Sequence, residues 1–247
     1  MATSRAVAQT AHRGAGLSAS SLVVLGGGEH ARVVMDAAMS SGDWVVQGYA
    51  APQATPGWTD APWLGDDAQL AERLATLPAD ERPWLVIGFG GGADSVGFAA
   101  RTAVADRIRV EARWATVVHA TAWVSPNADV ERGAVVLAQA VVNTGARIGR
   151  HVIVNSGAIV EHDVTIGAGS HIAPGAVIGG GTRVGPRTFV GLGARVRDHL
   201  EIGPDVVIGM GAVVVASVPA GREVVGIPAR ERPSARERTP GSDGAPR

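Results

Sequence analysis

The triplet Glu161-His162-Asp163 sets one imidazole between two carboxylates. A carboxylate beside an imidazole holds it in one tautomer and stabilises the imidazolium, which is what a general base requires. The same triplet on an ordinary surface is a histidine among solvated charges, so the surrounding fold decides between the two readings. His171 follows nine residues after His162, while His151 and His199 lack such a partner and read as surface histidines. The spacings of eleven (151 to 162) and nine (162 to 171) do not suit a zinc site, and there is no cysteine to complete one. No metal is expected. The missing thiols also exclude disulfides and an acyl-cysteine intermediate, and they fit a reducing compartment.

A second constellation lies near the start of the chain. Gly26-Gly27-Gly28-Glu29-His30-Ala31 follows an apolar run and opens a helical pattern. Such a turn brings backbone N–H groups to a phosphate at a helix N-terminus, or else only packs a helix tightly on a sheet. A dinucleotide site also wants an acid about 20 residues on. That place holds Gln47-Gly48-Tyr49-Ala50, which disfavours nicotinamide and leaves a nucleotide diphosphate open.

These groups need elements to hold them. Leu22–Leu25, Val45–Tyr49 and Trp84–Ile87 read as buried strands of a small parallel sheet, because they are continuous apolar runs separated by helical text. One helix is expected from Glu29 to Met39, stopping at Ser40-Ser41-Gly42. Another should follow the glycine-rich turn after Gly88 and end near Asp106, and the Pro- and Gly-rich stretch between the second and third strands reads as a connection. Beyond residue 116 the period changes to six. Val or Ile occupies every sixth position from Val118 to Val214, seventeen hexads without exception. Four residues after each comes a mostly small residue, Ala in nine cases, and glycine often follows the aliphatic residue directly, as at Gly149, Gly167 and Gly185. Neither a helix nor a flat strand has this period, so a solenoid that turns a corner every six residues is required, with glycine expected to supply the tight backbone at the corner.

Charge is balanced, with 22 basic and 23 acidic residues in 247, which gives no footprint for nucleic acid or an anionic membrane. Nothing approaches the roughly 20 apolar residues of a membrane span or the apolar run of a signal peptide, so a cytoplasmic location is expected. The expected division is a disordered tail at 1–21, a βαβ domain at 22–115, a solenoid at 116–230 and a second disordered tail at 231–247.

Taken together, Gly26-Gly27-Gly28-Glu29-His30, Leu85-Val86-Ile87-Gly88, Val154-Asn155-Ser156-Gly157 running on to Glu161-His162-Asp163, His171-Ile172-Ala173-Pro174-Gly175-Ala176 and the closing Gly226-Ile227-Pro228-Ala229 resemble the hexapeptide-repeat sugar acetyltransferases of the sialic-acid and bacillosamine type. The resemblance implies a Rossmann-like α/β domain followed by a left-handed parallel β-helix, assembled as a homotrimer with its sites between neighbouring solenoids. It implies acetyl-CoA as co-substrate, a nucleotide-linked amino sugar as acceptor, His162 as general base and Asp163 as the carboxylate behind it. It places His171 against acetyl-CoA, the backbone near Gly180 and Met210 along the pantetheine, and Gly28, Glu29 and His30 where the nucleotide sugar is held. O-acetylation of a sugar hydroxyl, and a non-catalytic β-helix binding module, are the alternatives. This chain departs from the family in having Tyr49-Ala50 in place of an acidic pair after the second strand, and Phe89-Gly90 in place of Asn or Asp after the third.

Overall fold

The run from Leu22 to Leu25 forms the middle of a parallel sheet. The structure, a computed structural model, describes residues 19–55, 57, 59–90, 101, 103–105, 107–108 and 112–232. Strand β1 (Ser20–Leu25) pairs with β2 (Trp44–Ala50) on one side and β3 (Trp84–Ile87) on the other. β4 (Arg113–Trp114) extends the sheet to the order β2-β1-β3-β4 and leads straight into the solenoid. Leu22 and Val24 enter one apolar cluster, Val23 and Leu25 another. Both faces are covered, so the strand reads as continuous and not alternating.

Helix α1 (Glu29–Ser41) ends at Gly42, whose left-handed φ of 72° lets its N–H bond the carbonyl of Met39. Its Ala31, Val34, Met35, Ala37 and Ala38 share one buried cluster with Leu22, Val24 and Val86 of the sheet, with Ala115 at the junction, and with Val117, Val135, Leu137 and Ile153 of the solenoid. The helix is thus sandwiched between the two halves and joins their cores. A second helix, α2 (Asp67–Ala75), lies where only a connection was expected. Its start is a capping box: Asp66 accepts from Gln69 N at 2.8 Å, and the Gln69 side chain accepts from Asp66 N at 3.0 Å. Leu70 and Leu74, four apart, bury against the far face of the sheet. Residues 101, 103–105 and 107 are helical, as the text before Asp106 predicts; the glycine turn at 91–100 and Asp106 itself lie outside the described residues.

From Val117 to Val214, strands of two residues stack at intervals of eighteen: Ile148 on Ile166, Val154 on Ile172, Val160 on Ile178. Three hexads therefore complete one coil, and the coils build three flat parallel faces. The first carries Arg147–Ile148 and Thr165–Ile166, the second Ile153–Val154 and His171–Ile172, the third Ile159–Val160 and Val177–Ile178. The aliphatic column and the Ala column behind it fill the bore, each fully buried Val or Ile contributing about 1.5–3 kcal/mol relative to exposure.

The corner chemistry differs from the expectation in one respect. The glycine directly after the aliphatic residue does not adopt positive φ; it is needed because a Cβ at Gly167 or Gly185 would collide with backbone of the next coil, at Pro186 and Pro204. The left-handed residue falls two positions later, at every sixth residue from 133 to 211. Glycine takes most of these places, but Gln139, His151, Asp163, Arg187, His199 and Asp205 occupy the rest, at a cost of about 1–2 kcal/mol each. Eighteen residues apart, Arg187 and Asp205 face each other on successive coils and form a bidentate pair at 2.7 and 2.6 Å.

The described chain reaches slightly past both expected domain limits, β1 starting at Ser20 and Arg230–Glu231 pairing antiparallel with Glu223–Val225. The rest of the expected tails, 1–18 and 233–247, lies outside the described residues. Among the described residues no helix is long and apolar enough to cross a membrane, and no group of three or more His, Asp or Glu could hold a metal.

Candidate active site

After Ile159–Val160 the chain turns from the third face to the first, and Glu161, His162 and Asp163 occupy that corner. Asp163 holds the left-handed place, φ 59°, which a short polar residue tolerates better than most. Its N–H bonds Thr144 O of the preceding coil at 3.0 Å, and its carboxylate lies directly over Gly145, where a side chain would strike Oδ1. Oδ2 stands 3.0 Å from His162 Nδ1. A carboxylate can only accept, so Nδ1–H donates and the lone pair of the neutral ring resides on Nε2. The flanking acids are not equivalent. Glu161 Oε2 accepts from Asn143 Nδ2 at 3.1 Å and from His162 N at 3.3 Å, so it braces the corner from one coil below. Asn143 was missed in the sequence; it stands eighteen residues before Glu161, and the coil length is the signal that finds it.

His162 is exposed, and its pKa is raised above the usual imidazole value. The hydrogen bond to Asp163 is the main cause; desolvation opposes it, and the negative charges of Asp163 and Glu161 add to the rise. Beyond the ring lies buried Gly180, one coil further on, where a Cβ would sit 2.6 Å from Nε2. Gly180 therefore leaves the room in which the basic nitrogen stands.

The other candidates lie elsewhere on the molecule. His171 is on the second face and only 7% exposed. Ser156 N–H fixes Oδ1 of Asn155 as acceptor at 2.8 Å, which leaves the Asn155 amide to donate to His171 Nε2 at 3.0 Å. His171 Nδ1 then donates to Gly90 O at 3.3 Å. Its ring meets Phe189 edge-on, and burial pushes its pKa down to about 3. His171 is a neutral imidazole with both nitrogens engaged. His30, at the start of α1, faces inward, its ring centroid 6.1 Å from that of His171, and among the described residues its buried Nε2 has no partner. Burial, helped by Arg101, lowers its pKa to about 4. His151 is a correction: it is not at the surface but packed edge-on against Trp114, over Gly133, with a pKa lowered to about 4 by burial. His199 is exposed.

Gly28 is the N-cap of α1 and makes no side-chain cap; Ala31 N–H bonds Gly28 O at 2.9 Å, while among the described residues the N–H groups of Glu29 and His30 keep their donors, and a Cβ at Gly28 would meet open space. Glu29 beside it is exposed. The Tyr49 hydroxyl accepts from Thr55 N at 2.9 Å while its ring flanks Gly27, and Thr55 Oγ1 donates to Gly27 O at 3.3 Å. Met210 stands on the corner between the second and third faces, 78% exposed, with Leu192 eighteen residues before it at 51%. One chain thus brings His162, Asp163 and Gly180 together, gathers His30 with His171, and leaves Met210 on a different corner.

Residues 145–180 match the family described as bacterial transferase hexapeptide (six repeats). No curated protein matches the chain. Among solved structures, the acetyltransferase domain of PglB from Neisseria gonorrhoeae, in complex with acetyl coenzyme A, is similar over 87% of this chain and 100% of that one, at 30% identity and a TM-score of 0.78. PerB from Caulobacter crescentus, in complex with CoA and GDP-perosamine, is similar over 89% of this chain and all of that one, at 32% identity and a TM-score of 0.76. WeeI from Acinetobacter baumannii, at 22% identity and a TM-score of 0.70, shares the fold.

Proposed function

We propose, from the premise that this chain belongs to the hexapeptide-repeat, left-handed β-helix sugar N-acetyltransferases, which are acetyl-CoA-dependent, that its acceptor is a nucleotide-linked amino sugar and that His162 is the general base. The observation that carries the reading is the His162–Asp163 pair, with Nε2 free above Gly180. The amine nitrogen attacks the thioester carbonyl while Nε2 takes its proton. The C–N bond forms, the C–S bond breaks, and CoA leaves as a thiolate that the imidazolium can reprotonate. No acyl-enzyme is needed. Gly180 and Met210 line the path of the pantetheine in this reading. His171 reaches the thioester only by exchanging Gly90 or Asn155 for it. That PerB is described with GDP-perosamine supports the acceptor class. Because the chain has no cysteine, a thiol reagent reads released CoA without background, and release with nucleotide amino sugars but not with the parent hydroxyl sugars is the expected result. Release with the hydroxyl sugars instead would replace N- by O-acetylation.

The acceptor is held by the glycine turn. Gly28→Val should raise the KM for the acceptor about tenfold or more and leave that for acetyl-CoA unchanged, because the new side chain enters the space before the free N–H groups and disturbs no packing. Calorimetry separates the two ligands, and normal acceptor binding by the variant would reduce the turn to a structural role.

The active form is a trimer. Leu192, Met210 and Ile227, at 51%, 78% and 76% exposure, present apolar surface at which a neighbouring solenoid and the donor find cover. Light scattering should give three chains of 25.1 kDa; a single-chain mass in an active preparation would overturn this.

A further inference from the structure

Among the described residues Arg101 is the largest side chain with no exposed surface, and its place is the seam between the α/β domain and the solenoid. Its Nε–H donates to Phe89 O at 3.1 Å, and Nη1 donates to Gly169 O at 3.3 Å. Phe89 follows β3; Gly169 is a corner of the solenoid. Among the described residues Nη2 is buried without a partner and no carboxylate pairs with the guanidinium, whose pKa burial lowers to about 9. Around it stand three imidazoles, the half-buried His30 and the buried His151 and His171. A buried, unpaired cation that bonds only carbonyl oxygens is a poor source of stability.

It is well made as a strap. The same loop is bonded a second time to the solenoid, through Gly90 O and His171, and approaches so closely that a Cβ at Gly90 would lie 3.3 Å from the His171 ring. On its other side the loop touches the turn that opens α1, since a Cβ at Gly26 would lie 3.3 Å from Gly88 and from the Phe89 ring. A continuous line of contacts thus runs from Gly169 through Arg101 and Phe89 to the glycine turn. A planar fork can bridge two carbonyls at fixed separation, which a lysine cannot.

We infer that Arg101 is a positioning residue, which locks the loop after β3 and the adjoining glycine turn onto the solenoid and so sets where the acceptor amine stands relative to the thioester. The inference rests on the reading that the turn holds the acceptor. A misplacement of about 1 Å costs an enzyme up to about 10²-fold in rate. Arg101→Met should therefore lower kcat about 10–10²-fold, keep the KM for acetyl-CoA within about twofold, and leave the unfolding midpoint unchanged or raised, because an apolar chain of similar length removes a buried charge. Arg101→Lys, which keeps the charge and the donors but on a single nitrogen, should recover part of the lost kcat. Hydrogen exchange should quicken in the peptide spanning Val86–Gly90 of the Met variant and stay unchanged over Ile153–Ile178. A wild-type kcat in Arg101→Met, or a loss that follows a lowered unfolding midpoint, overturns the inference. If the wild type acetylates no nucleotide amino sugar, the acceptor reading falls by itself, and the exchange measurement still decides the strap: unchanged exchange at Val86–Gly90 would refute it.

Discussion

Replacing His162 with Ala should lower kcat by about 10²–10⁴-fold, the range ordinarily lost with a general base, and leave the KM for acetyl-CoA nearly unchanged. The ring is exposed at a corner and belongs to no core, so its removal leaves the packing intact and the loss is chemical. The base must be neutral to act, and its pKa is raised by Asp163. Activity should accordingly rise with pH along a limb centred above the ordinary histidine value, and saturate beyond it. Asp163→Asn removes the charge and leaves a neutral amide that can turn either its oxygen or its NH2 to Nδ1; the limb should move to lower pH while the plateau falls, because the ring is held less firmly with its lone pair on Nε2. A pH profile of kcat/KM for the two proteins tests this. A His162→Ala enzyme with undiminished kcat across the accessible pH range would remove the assignment, and an unmoved limb in Asp163→Asn would remove the partner.

The fold was legible because its signal is redundant. Seventeen aliphatic positions at one spacing can be satisfied only by a repeating corner, and the strand pairs at intervals of eighteen meet that demand. The His162–Asp163 pair was legible for a local reason, since adjacent residues at a corner need no tertiary information to meet. What escaped was anything set by stacking or by the seam. Asn143 reaches Glu161 only because a coil is eighteen residues long. His151 reads as a surface residue until Trp114 is laid against it from another element. Arg101, an ordinary basic residue in a helical stretch, becomes a buried strap only when the loop after β3 and a solenoid corner close on it. The helix α2 was hidden by its brevity, two leucines in about two and a half turns, although Asp66 and Gln69 stood at capping-box spacing.

The same stacking makes Gly180 a second test of the base. A methyl group at this position would stand 2.6 Å from His162 Nε2, well inside van der Waals contact. The neighbour that must yield is the imidazole, because it is an exposed ring on a rotatable stem while Gly180 is buried backbone of a coil. Gly180→Ala should therefore swing the ring off Asp163 and lower kcat about 10–10²-fold, as expected for a base moved by about 1 Å. A simple loss in activity would not separate this from a blocked pantetheine path, which would instead raise the KM for acetyl-CoA. The double variant separates them. If Gly180 acts through the ring, Gly180→Ala should cost almost nothing further in kcat once His162 is Ala, so the two effects are far from additive. If it acts through the donor, the rise in KM should be the same with and without His162. Full additivity in kcat would show that the glycine and the histidine serve the reaction independently, and that the room above Gly180 is not kept for the base.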